Sequence, residues 1–287
     1  MSALVEARAV RPSAVGEAAR RRVRRRRLLG PSGRLMIVAA DHPARGALGA
    51  GPRPLAMADR RDLLERLCTV LDRPGVDGVL GTPDIIEDLL LLGALDDKVV
   101  IGSMNRGGLA GAAFEIDDRF TAYTAEAIAA GGLDGGKMLL RIDDRDQATP
   151  ATVQACAGAV SELAGRGLMA MVEPFISHRV DGRIRNVLTP EAMIRAIAIA
   201  SGLGATSACT WLKVPVVDDM ERVMAATTLP TLLLGGEVPA DPDAALAGWQ
   251  QAMRLPNVRG LVVGRSLLYP ADDDVAGAAD AAVEVLK

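Results

Sequence analysis

Aromatic residues are almost missing from this 287-residue chain, in which two Trp, two Tyr and three Phe make up 2% of the whole. Proteins that hold single-stranded nucleic acid stack bases on such rings, and nucleic-acid binders of every kind carry excess positive charge. The formal net charge here is −3, so nucleic acid is not an expected partner. Cysteine is scarce as well. Cys68, Cys156 and Cys209 are odd in number and dispersed, which suits free thiols in a cytoplasmic protein better than a disulfide framework or a clustered metal site. No apolar run approaches the roughly 20 residues that span a bilayer, and no secretory core follows the basic start, so no membrane partner is expected. With His42 and His178 the only histidines, the three-imidazole set of a zinc enzyme is out of reach. Neither a metal nor a cofactor is expected.

Lysine is the most telling shortage. Of 33 basic residues only Lys98, Lys137, Lys213 and Lys287 are Lys, and the rest are Arg. A lysine inside an apolar run of such a chain needs its own explanation.

What the chain does have is aliphatic bulk, with 49% hydrophobic residues, in a length that repeating α/β architectures fill as one domain. Residues 1–30 are polar and basic and read as a helical extension, its Arg20 to Arg27 run forming either a solvated face or an anion-binding arm. Residues 31–287 repeat a short aliphatic run, a turn and a longer amphipathic segment. Strands are expected at residues 35–40, 78–81, 99–103, 137–142, 168–175, 208–214, 231–234 and 260–263. Helices are expected at 56–73, 83–95, 118–130, 150–167, 190–202, 218–226, 242–255 and 274–286. Four of these helices open on Thr-Pro or Asp-Pro, a cap followed by proline at the first helical position. Eight alternations predict an α/β fold, a (β/α)8 TIM barrel, as the single catalytic domain behind the N-terminal helices. No dinucleotide or P-loop glycine motif follows a strand.

Barrels of this kind build their chemistry at the C-terminal ends of the strands. Those ends carry Asp41 and His42 (first strand), Asn105 and Arg106 (third), Lys137 and Arg141 (fourth), Glu173 (fifth) and Lys213 (sixth). Gly235-Gly236 follows the seventh strand and Gly264-Arg265 the eighth. Lys213 lies within Trp211-Leu212-Lys213-Val214-Pro215-Val216, where burial disfavours the ammonium and favours the amine that attacks a carbonyl. A bare structural role, capping the strand or pairing with Glu173, is its alternative. Lys137 shares a face with Leu139 and Arg141, either inside the mouth beside Lys213 or at the lower rim. Asp41 and Glu173 are candidate proton carriers or ion-pair partners of the lysines. The glycine turns with Arg265 suit a phosphate. His42 is expected at the substrate, and His178 in a loop over the site.

The segment around Lys213 resembles the strand-six motif of class I aldolases of the DeoC/LacD/DhnA type, and Asp41-His42 through Leu48 resembles their strand-one motif. Lys137, Glu173 and the two glycine turns are similar to corresponding positions of the tagatose-bisphosphate branch. The run Gly102 to Gly108 with Phe114 to Phe120 resembles a bacterial subgroup associated with inositol catabolism. That resemblance implies a metal-independent lyase of carbohydrate metabolism, a homo-oligomer, in which Lys213 forms a Schiff base with a phosphorylated keto sugar or keto acid. The candidate substrates are 2-deoxy-5-keto-gluconate 6-phosphate, ketose bisphosphates and deoxyribose phosphate. Lys137, Glu173 and Asp41 would serve catalysis. Gly235, Gly236, Gly264, Arg265, His42, Asn105, Arg106 and Arg141 would bind substrate. A sugar-phosphate isomerase or epimerase, or a barrel that only binds a sugar phosphate, would use the same phosphate turns without an imine.

Overall fold

The computed structural model describes all 287 residues. Strands β1 (Leu35–Ala39), β2 (Gly78–Gly81), β3 (Val99–Ser103), β4 (Gly135–Ile142) and β5 (Met169–Val180) are followed by β6 (Arg183–Asn186), β7 (Thr210–Pro215), β8 (Thr231–Leu234) and β9 (Val258–Val263). Neighbours pair in parallel in the order β4-β3-β2-β1-β9-β8-β7-β5, and β4 pairs with β5 to close the ring. Eight parallel strands thus form the expected (β/α)8 barrel. The ninth, β6, runs antiparallel to the far half of β5, outside the ring.

Side-chain alternation sorts each strand between two cores. Leu35, Ile37, Leu80, Val99, Ile101, Met169, Met171, Trp211, Leu232 and Val262 point inward and fill the lower barrel. Met36, Val38, Val79, Val100, Met138, Val172, Leu212 and Val263 point outward into a larger core shared with the helices. Following the inward column upward converts packing into chemistry. Above Met169 and Met171 the next inward residue of β5 is Glu173, and above Trp211 on β7 it is Lys213.

The helices are α1 (Ser2–Val10), α2 (Ser13–Arg21), α3 (Arg60–Leu71), α4 (Pro83–Leu91), α5 (Ala125–Ala130), α6 (Ala148–Ala164), α7 (Pro190–Ser201), α8 (Met220–Met224), α9 (Pro242–Ala252), α10 (Arg265–Leu268) and α11 (Val275–Glu284). Thr189 and Asp241 cap α7 and α9 through their side chains as expected. Thr82 does not cap α4, because its hydroxyl bonds to Asp84 instead. Thr149-Pro150 sits inside the first turn of α6, whose cap is Gln147, two residues before the expected Thr149. The expected helix from residue 118 begins only at Ala125, since residues 107–124 are drawn across the barrel mouth.

The N-terminal helices lean on α4, where Arg8 reaches Glu87 and Asp88 at 2.8 Å. From α2 the chain crosses the lower rim. There Arg22 donates to the carbonyls of Lys98 and Gly132, and Arg25 pairs with Asp77 at 2.6 Å. Several arginines of that run are therefore tied to the barrel. No helix is long and apolar enough to cross a membrane.

Candidate active site

A cavity of about 650 Å³ opens at the C-terminal end of the barrel. Four charged side chains from four strands line its floor in alternating sign. Asp41, just beyond β1, lies 3.1 Å from Lys137 of β4, Lys137 contacts one oxygen of Glu173 on β5, and the other oxygen lies 3.1 Å from Lys213 on β7. Lys137 is 1% exposed and Lys213 3%, so the chain of charges sits almost entirely out of water. The lower-rim alternative for Lys137 is overturned by this placement, and Glu173 pairs with both lysines at once.

Asp41 is held on three further sides. Ser103 donates to Oδ2 at 3.0 Å, Arg106 lies 3.1 Å from the same oxygen, and Arg106 also donates to the Asp41 carbonyl. Burial alone would raise the carboxyl's pKa, but Arg106 and then Lys137 hold it well below the usual range. Glu173 follows the same logic: burial pushes up, Lys137 and Lys213 pull harder, and the pKa falls to about 2. Lys137 is lowered, first by burial and then by Arg106. His42 is lowered to about 3 by burial, against the pull of Asp41 and with Arg265 adding to the push, so its imidazole is neutral at pH 7. Its Nδ1 is buried without a hydrogen-bond partner, 3.9 Å from Asp41.

The turns after β8 and β9 lie along one side of the cavity. Arg265 reaches Glu237 at 2.8 Å and the Gly236 carbonyl at 3.0 Å, while its Nε and the Ser266 hydroxyl are buried without partners. Gly264 is required by packing, because a Cβ there would lie 2.5 Å from the Ala39 carbonyl and 3.0 Å from His42. Gly235 likewise has no room for a Cβ against Val263.

Two candidates from sequence are committed to the protein rather than to the cavity. Asn105 does not line the cavity: it donates to the carbonyls of Leu139 (2.6 Å) and Asp118 (3.1 Å) and accepts from the Leu139 N–H (2.7 Å). Arg141 faces the cavity, yet its guanidinium grips Asp118 through two bonds of 2.6 and 2.8 Å and also meets the Glu115 carbonyl. His178 is not over the site. It sits half exposed on the β5 limb of the hairpin, 3.3 Å from Asp143.

Other lining residues were given no role of their own in the sequence reading. Arg45, in the turn after β1, pairs with Glu115 at 3.2 Å. The β5–β6 hairpin brings Arg183 and Arg185 to the wall, and Glu115 accepts from the Ile184 N–H, tying hairpin to mouth loop. Asp181-Gly182, with both residues at positive φ, is a two-residue hairpin turn, the local signal from which this element could have been read.

Comparison with known proteins agrees with this fold. The family described as Cgl0159-like matches residues 33–283. The crystal structure of Cgl0159 from Corynebacterium glutamicum is 55% identical with a TM-score of 0.97, over 99% of this chain and 96% of that one. An archaeal fructose 1,6-bisphosphate aldolase is 18% identical with a TM-score of 0.68, over 95% of this chain and 98% of that one. The fructose-bisphosphate aldolase from Slackia heliotrinireducens is 15% identical with a TM-score of 0.65, over 96% and 88%. The last two are likenesses of fold. No curated protein matches the sequence.

Proposed function

The chain belongs to the Cgl0159-like family, and we propose that its barrel mouth carries out class I aldolase chemistry on a phosphorylated keto sugar or keto acid. The observation that supports this most is the buried Asp41–Lys137–Glu173–Lys213 relay. A structural ion pair needs two members, whereas an imine-forming lyase needs a nucleophilic amine, a proton carrier touching it and a second cation for the substrate oxygens.

In this reading Lys213 passes a proton to Glu173 and attacks the substrate ketone. Loss of that ammonium removes one of the two cations that depress Glu173, so the carboxyl becomes a better acid carrier and returns the proton as water leaves the carbinolamine. The resulting iminium accepts the electron pair of the breaking carbon–carbon bond. The hydroxyl proton on the departing carbon goes to a carboxylate, Glu173 or Asp41, and an aldehyde leaves. Protonation of the enamine carbon and hydrolysis then free a ketone such as dihydroxyacetone phosphate and restore Lys213. Lys137 stays charged between Asp41 and Glu173 and orients the substrate oxygen. Arg265, Ser266 and the Gly236 turn receive the phosphate, and His42 contributes a neutral imidazole beside it.

The DeoC/LacD/DhnA resemblance, the substrate candidates and a place in inositol catabolism belong to this proposal. The test is borohydride reduction with dihydroxyacetone phosphate, followed by mass mapping. A reduced adduct is expected on Lys213. Lys213→Ala is expected to lose the adduct and about 10³-fold or more in cleavage rate while keeping its circular dichroism. Full activity in that variant would sink the reading, and a screen of phosphorylated ketoses and keto acids then names the substrate.

A further inference from the structure

The relay and the phosphate turns leave one side of the cavity unused, and that side is strongly positive. The cavity wall carries eight Lys and Arg side chains against four Asp and Glu, in a chain whose net charge is −3. The four carboxylates do not cover the eight cations. Asp41 and Glu173 serve Arg106 and the two lysines, and Glu237 serves Arg265. Glu115 faces Arg45 at 3.2 Å, while Arg141, 3.8 Å from Glu115, is already held by Asp118 at 2.6 Å from outside the cavity wall. Arg183 and Arg185, two residues apart on β6, line the cavity, and their exposed guanidinium groups have neither an ion-pair nor a hydrogen-bond partner.

Arg45 shows the same deficit from another direction. Its Nε is buried without a partner, and burial, then Arg141 and Arg106, lower its pKa to about 10. Guanidinium groups are costly to crowd without counter-charge, and their planar forks suit carboxylate and phosphate oxygens.

We propose that Arg45, Arg183 and Arg185 form a second anion site, which receives a negatively charged group at the end of the substrate remote from the phosphate held beside Arg265. The barrel order supports the span for the hairpin, since β7 with Lys213 stands between β5, which carries the hairpin, and β8–β9, which carry the phosphate turns. Arg45, which follows β1, is joined to the hairpin through Glu115, which pairs with Arg45 and accepts from the Ile184 N–H. The inference rests on the aldolase reading in one respect, that the ketone lies over Lys213 between the two anions. It narrows the substrate class to molecules charged at both ends, ketose bisphosphates or phosphorylated keto acids, and disfavours a sugar with a single phosphate.

Titration calorimetry with inorganic phosphate tests this without any catalytic step. The wild type is expected to bind two phosphates. Arg183→Gln/Arg185→Gln is expected to weaken one of them by about tenfold or more and leave the other, whereas Arg265→Gln weakens the second. Both hairpin arginines are exposed and unpaired, so the double variant is expected to keep the wild-type melting temperature, and Arg45→Gln should reproduce its loss. Competition by D-glycerate at the hairpin site alone would support a carboxylate there, and no competition would support a phosphate. A single phosphate in the wild type, or two equally bound phosphates in the hairpin variant, overturns the proposal. Because borohydride labelling of Lys213 is read separately, the second site and the Schiff base can fail independently.

Discussion

Replacing Glu173 by Gln keeps the shape of the side chain and removes the charge that Lys137 and Lys213 both face. If Glu173 moves protons on and off Lys213, Glu173→Gln should lower kcat by about 10² to 10⁴ fold with a much smaller change in KM, measured by aldehyde release. A change confined to KM would count against the proton-carrier role. The two lysines left facing each other should also destabilise the variant, by about 3–5 kcal/mol if the pair behaves like other broken buried ion pairs. At this scale the sequence was legible where chemistry follows strand position: Asp41, Glu173 and Lys213 are inward polar residues towards the strand tops, and Lys137, early in β4, is level with Ser103 at the end of β3. It was not legible for Asn105, whose three bonds to main chain join a loop and a strand 34 residues apart, nor for the partners of Arg141. Nothing local distinguishes an amide that binds substrate from one that binds backbone.

Among the elements, the seam between β1 and β9 is the most demanding. Gly260, at φ 135°, lies so close to β1 that a Cβ would sit 1.9 Å from the Leu35 carbonyl, and register shifts occur on the β8 side of the same strand. Gly260→Ala should therefore cost roughly 2–4 kcal/mol through strand displacement, read as a fall in melting temperature of several degrees. An unchanged melting temperature would show that the seam has slack the packing does not reveal. All eight barrel strands were readable from aliphatic runs because burial on both faces imposes them. The hairpin was not, since past Ile176 the chain leaves the barrel and its solvent-facing residues carry no hydrophobic period. The Asp-Gly turn was its one local mark. The start of α5 was misread because residues 118–124 were joined to the alanine-rich run that follows them, whereas Asp118 is gripped by Arg141 and the helix begins only after the Thr124 cap.

For the molecule as a whole, the site sets the response to acid. His42 is neutral in the fold, with its pKa lowered to about 3, but takes up a proton near pH 6.5 when unfolded. The unfolded state therefore binds more protons between those values, and stability falls as pH drops through that window. Glu173, lowered to about 2, and Asp41, also lowered, add losses of the same sign below about pH 4.5. Denaturant unfolding should show stability declining from about pH 6.5 downward, at no more than about 1.4 kcal/mol per pH unit for each proton. His42→Asn should flatten the upper part of the curve. A wild-type midpoint constant from pH 7 to 4.5 would contradict the neutral, half-buried imidazole.

The ring closes between its first strand and its last. β1 pairs with β9, and more than 200 residues separate them, so at roughly 5–20 residues per second the ribosome needs some ten seconds or longer to supply the closing partner. Throughout that interval the nascent chain presents an unpaired edge on β1, and Asp41 stands apart from Lys213 until β7 emerges. Chains cut short before Val258 would carry two open edges, on β1 and β8, and would self-associate rather than persist as smaller soluble barrels.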